Sequence, residues 1–150
     1  MTSRRSNRDV ENLGRDWLVN QLHRAGIAAT VPDDNKLIDL IAYPESSPSG
    51  RVVPIQMIAA SKQKFEVNRK YSGIAGLLMV YVWNLHSEES VQAYAMSYDE
   101  SVEIARQMKW TETESWREGM YFTSKPSQRL LNFLKPYRMT PAKWQERIKG

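Results

Sequence analysis

The chain has 150 residues, enough for one domain with its own core and no disulfide or metal staples. Apolar residues make up 41% and charged residues 25%, which argues against a disordered or membrane-embedded class. The absence of cysteine removes thiol nucleophiles, disulfides, zinc ribbons and iron–sulfur sites, and the net charge of +4 mildly favours an anionic partner.

The first helix is predicted from Asn7 to Ala25, with Ser6 or Asn7 as N-cap and Gly26 just past its end. Val10, Leu13, Trp17, Leu18, Leu22 and Ala25 fall on one arc at helical spacing. Glu11 sits at the edge of that arc, an expensive place for a carboxylate unless it has a partner. A pairing with Arg15 at i+4 is the ordinary alternative to a ligand role for Glu11. Ile27 to Val31 reads as a short strand, and Pro32-Asp33-Asp34-Asn35 as a turn.

Lys36 to Tyr43, KLIDLIAY, is predicted as a strand that is apolar on both faces except at Asp39. Pro44 to Gly50, PESSPSG, reads as a hairpin loop, and Arg51 to Ala60 as the returning strand. Strands so joined are neighbours, and side-chain alternation then lets Asp39 meet Gln56 on one face. The apolar run LLMVYVW, ending at Trp83, predicts a central strand covered on both sides. Val91 to Ser97 is a further expected strand. Helices are expected over Asp99 to Lys109, over Ser127 to Leu134, and from Thr140, where Pro141 is a good first residue. This order predicts one α/β (α+β) domain over residues 1–150, with a central sheet flanked by helices.

An acid in one apolar strand and an amide in the next resemble the signature of the PD-(D/E)XK nucleases. In that family an acid on one strand is followed by acid-x-lysine on the next. Here Asp39 in KLIDLIAY stands at the first acid, and Gln56 in VVPIQMI at the second, which some members replace by glutamine. The inward-edged Glu11 on the preceding helix matches a residue that often completes the family's metal site. The resemblance implies a restriction-endonuclease-like mixed β-sheet. It further implies Mg²⁺ or another divalent cation held by Asp39, Gln56 and Glu11, and site-specific cleavage of double-stranded DNA of the homing or restriction type. A double-strand cut needs two active sites, so a homodimer or homotetramer is expected.

The chain departs from the family at Ile58, which occupies the position of the motif lysine. Isoleucine can neither deprotonate water nor offset developing charge. The chain is then a natural inactive member, or a version disabled so that it binds without cutting, or one in which Lys62 or Lys64 reaches in. Lys62 shares the strand parity of Ile58 but lies roughly 13 Å further along an extended strand, which makes the last option the weakest. The residues around Ile58 still read as a working site, so the disabled nuclease is favoured. A non-catalytic DNA-binding module that keeps the fold is the runner-up. Gln56 also has an ordinary reading, as an amide bonded to backbone.

Lys62, Lys64, Arg69 and Lys70 follow the catalytic strand and are candidate phosphate contacts. Arg51 and Ser49 of the hairpin are candidate readers of base edges. No stretch is long and apolar enough to cross a bilayer, and no signal peptide stands out, so a cytoplasmic address is expected.

Overall fold

The computed structural model describes residues 7–33, 37–46 and 51–149. Ser6, Lys36 and Ser49, all used in the sequence reading, lie outside the described residues.

The chain opens with helix α1, Asn7–Arg24. It ends where Gly26 takes φ 77°, a left-handed conformation that a glycine adopts without strain. Strands β1 (Ile27–Thr30), β2 (Leu40–Pro44) and β3 (Val53–Ala59) then form an antiparallel meander. Strand β4 (Phe65–Asn68) leaves the main sheet. Strands β5 (Leu78–Trp83) and β6 (Gln92–Ser97) return to it, β5 parallel to β3 and β6 antiparallel to β5. The five-stranded order is therefore β1-β2-β3-β5-β6, a mixed sheet.

Helices α2 (Tyr98–Gln107) and α3 (Glu114–Glu118) follow, then strand β7 (Met120–Thr123), which pairs antiparallel with β4 in a separate two-stranded sheet. Helices α4 (Gln128–Leu134) and α5 (Pro141–Lys149) complete the chain. The molecule is a mixed α/β fold, as its sequence predicts.

Alternation along the central strands divides the core into two parts. On one face Leu40, Ile55, Met57, Val80 and Val82 pack with Leu18 and Leu22 of α1 and with Trp144 and Ile148 of α5. On the other, Met79, Tyr81 and Trp83 of β5 pack with α2, α4 and the inward residues Phe65 and Val67 of β4. β5 is buried at every position, as expected of a strand covered on both faces. Two polar handles on these aromatics tie β4 and the residue before it to β5: Tyr81 Oη donates to Glu66 O at 2.7 Å and Trp83 Nε1 to Lys64 O at 2.8 Å. Such bonds let large aromatics be buried without orphaned donors.

Several boundaries differ from expectation. The predicted strand Lys36 to Tyr43 begins only at Leu40, so Asp39 stands in front of the strand and not inside it. α2 stops at Gln107, because Met108 caps it and Lys109 turns to φ 65°. Most of the α1 arc is buried, but Leu13 is 39% exposed. The sequence reading did not anticipate β4, β7 or α3.

Candidate functional site

The site begins where β2 parts from β3. The last paired residues are Leu40 and Ile55, while β3 runs on to Ala59. An unpaired strand edge exposes N–H groups that need partners. Asp39 supplies one: its Oδ2 accepts the Met57 N–H at 2.8 Å, and its own N–H donates to Ile55 O at 2.8 Å. The two bonds of the aspartate thus bracket the Gln56 backbone, while the Gln56 side chain bonds to Met57 O and not to Asp39.

Burial pushes the Asp39 carboxyl above its ordinary pKa. The Met57 hydrogen bond and the charge of Arg15 oppose that shift, and the charge of Glu11 adds to it. A carboxylate whose surroundings favour its neutral form is suited to holding a cation. The sign for stability follows from linkage. As pH rises above the ordinary carboxylate pKa, the unfolded chain releases this proton while the folded chain still holds it. Stability therefore falls with rising pH until the folded-state value is passed, and the loss then persists. Asp39→Asn keeps an oxygen for the Met57 N–H and removes the charge. It is expected to raise stability at neutral pH by about 1 kcal/mol, the common scale for relieving a functional-site group. Thermal unfolding of the two proteins checks this, and an unchanged or lower Tm would contradict it.

The other candidates are distributed around Asp39. Gln56 is half-buried, and its Nε2 approaches Met57 O at 3.4 Å, a weak bond to backbone; among the described residues none donates to its amide oxygen. Ile58 lies two residues on along the same face and packs, with Leu37, against the second core cluster. Glu11 is exposed, which corrects the expectation of an inward-edged acid; it nevertheless acts electrostatically on Asp39. It forms no ion pair with Arg15 among the described residues, so the ordinary alternative for Glu11 is not realised.

The basic candidates do not converge on Asp39. Lys62 is exposed beyond the end of β3, and its carbonyl accepts the Asn84 N–H at 2.7 Å. Lys64 pairs with Glu66 at 3.3 Å and sits 5.1 Å from the Phe122 ring centroid. Arg69 lies over Trp116 and Lys70 over Tyr71, both with exposed side chains. Arg51 is exposed and borders an open cleft of about 550 Å³, together with Arg147, Tyr98 and the turn from Gly73 to Gly76; Asp39, Gln56 and Glu11 are not in its lining.

Three residues near the site escaped the sequence reading. Arg15 was considered only as a partner for Glu11, yet its charge acts on Asp39. Glu66 is only 8% exposed and stands beside Lys64. The Tyr71 hydroxyl is pushed up to about 12 by burial and then by the charges of Glu66 and Asp39, so it stays protonated at neutral pH. Their positions depend on where β4 folds back, which no local pattern encodes. Gly14 was the available signal for Arg15, since a glycine inside an amphipathic helix marks a close approach.

Among the described residues no cluster of three His, Cys, Asp or Glu side chains suited to a metal ion is present. The site offers instead two carboxylates, Asp39 and Glu11, and the Gln56 amide. No helix of the described residues is long and apolar enough to cross a membrane. No protein-family model, curated protein or solved structure matches the chain.

Proposed function

We propose that this chain is a DNA-binding domain of the PD-(D/E)XK type, a Mg²⁺-dependent site-specific endonuclease whose reaction is blocked at Ile58. The observation that carries the reading is the Asp39 carboxylate docked on the Met57 N–H, beside Gln56, where β2 leaves β3. The mixed order of the central sheet supports a restriction-endonuclease-like fold. Asp39, whose burial leaves its charge poorly compensated, and the Gln56 amide oxygen are ligands of the kind a hard divalent cation prefers, and the exposed Glu11 on α1 would be the further carboxylate. A cation held there would polarise a scissile phosphate and acidify the attacking water.

The chain's own residues then account for what is missing. Ile58, on the Gln56 face of β3, has no group to take a proton or meet a developing negative charge. Lys64 is held by Glu66 and does not replace the motif lysine. A second reading, a non-catalytic DNA-binding module, is favoured by the packing of Ile58 against the second core cluster, as an ordinary apolar side chain. Both readings make duplex DNA the partner, and double-strand cleavage implies a homodimer or homotetramer.

Duplex binding across a range of salt concentrations tests what the two readings share. With about six phosphate contacts, log affinity is expected to fall against log salt with a slope of about −5. A slope near zero would exclude nucleic acid as the partner.

A further inference from the structure

α1 rests on the central sheet at Gly14, where an added Cβ would stand 2.9 Å from Ala59 Cβ and 3.3 Å from Met57 Sδ. The neighbouring Arg15 is thereby carried close enough to Asp39 for its charge to act on that carboxyl. Arg15 Nε is shut off from water and is the one buried side-chain nitrogen or oxygen, among the described residues, without a hydrogen-bond partner. None of the ion pairs among the described residues uses its guanidinium. Asp39 feels its charge but is hydrogen-bonded to the Met57 N–H, and Glu11, one turn earlier on α1, is exposed.

A guanidinium stays charged at any physiological pH and carries five donors in a planar fork that matches phosphate oxygens. Only Nε is shut off from water, and Arg15 as a whole is half-buried, so the outer end of the guanidinium can still offer charge-assisted hydrogen bonds to an anion. We propose that Arg15 binds a backbone phosphate of the nucleic acid, supplying at this site the positive charge that Ile58 does not. The inference rests on the DNA reading above and adds a residue and a role to it. The competing role is structural: a cation that only moderates the buried Asp39.

Salt dependence separates the two roles, because a residue that merely moderates Asp39 releases no counterion when DNA binds. Wild type, Arg15→Gln and Arg15→Lys are titrated with one randomised duplex by fluorescence anisotropy over a range of salt. Arg15→Gln is expected to flatten the slope by about one, the share of one phosphate contact, whereas Arg15→Lys keeps the wild-type slope. A wild-type slope in Arg15→Gln overturns the proposal and leaves the DNA reading standing. A flat wild-type titration removes the DNA reading, and this inference with it. Should Arg15→Gln not fold, the wild-type Arg15 Nε–H resonance, assigned by its loss in Arg15→Lys, decides. It is expected to shift when the duplex is added, and a resonance that does not move overturns the proposal.

Discussion

Gly14→Val is expected to destabilise the fold by about 3 kcal/mol, the upper part of the usual range for overpacking. A Cβ at this position would meet Ala59 Cβ at 2.9 Å, Leu85 Cδ1 at 3.2 Å and Met57 Sδ at 3.3 Å. The leucine and methionine can rotate away, but the Ala59 Cβ is fixed to the β3 backbone, so helix or strand must shift. Gly14→Ala sets a helix-propensity gain of about 1 kcal/mol against the same contact, and so is expected to cost far less than valine. Thermal unfolding is the readout, with about 3 °C lost per kcal/mol in a domain of this size. The consequence reaches beyond stability, because this contact sets where Glu11 and Arg15 stand relative to Asp39. A valine variant as stable as wild type would mean that α1 does not seat on β3 at Gly14, and the placement of both residues would lose its basis.

What could be read from the sequence follows from how local each signal is. α1 and α4 carry periodic apolar positions and clear end signals, and both were anticipated within a residue or two of their observed spans. β5 is apolar throughout, and its central place followed from that alone. The pair β4 and β7 did not emerge, although Phe65 and Val67 alternate with Glu66 and Asn68. Each strand has only 4 residues, and the partner of Phe65 is Thr123, far along the chain. Alternation over so few residues does not stand out from loop sequence.

The site divides in the same way. Asp39 and Gln56 were legible because a polar residue in an apolar strand is conspicuous and the hairpin makes the strands neighbours. That Asp39 stands before β2 and caps the Met57 N–H was not legible, since it depends on where the ladder ends. Glu11 was placed too far inward, because a helical arc gives the direction of a residue but not the width of the surface that covers it. Arg15 and Tyr71 enter only through tertiary placement.

Ile58→Lys is expected to give the chain Mg²⁺-dependent cleavage of duplex DNA, at least about 10²-fold above the wild-type rate, the lower end of what one positioned proton-transfer group contributes. The position can accept the change. Ile58 is only partly buried, so a lysine stem can lie against the second core cluster while its ammonium reaches out on the Gln56 face. Lost packing at β3 is expected to cost about 1 kcal/mol, the lower end for a partly buried apolar side chain. Asp39, Gln56 and Glu11 remain in place in the variant, so a gain of function would identify Ile58 as the one absent element. Adding Asp39→Asn to Ile58→Lys should abolish the gain, because the first carboxylate is then lost.

The most direct measurement is therefore a cleavage assay on a randomised duplex library with Mg²⁺, run on wild type, Ile58→Lys and the double variant. The account predicts cleavage by Ile58→Lys alone, with wild type and the double variant binding the library but leaving it intact. Binding without cleavage by all three proteins, or equal cleavage by wild type and Ile58→Lys, would contradict the assignment of Asp39, Gln56 and Ile58 as a nuclease site lacking only its lysine.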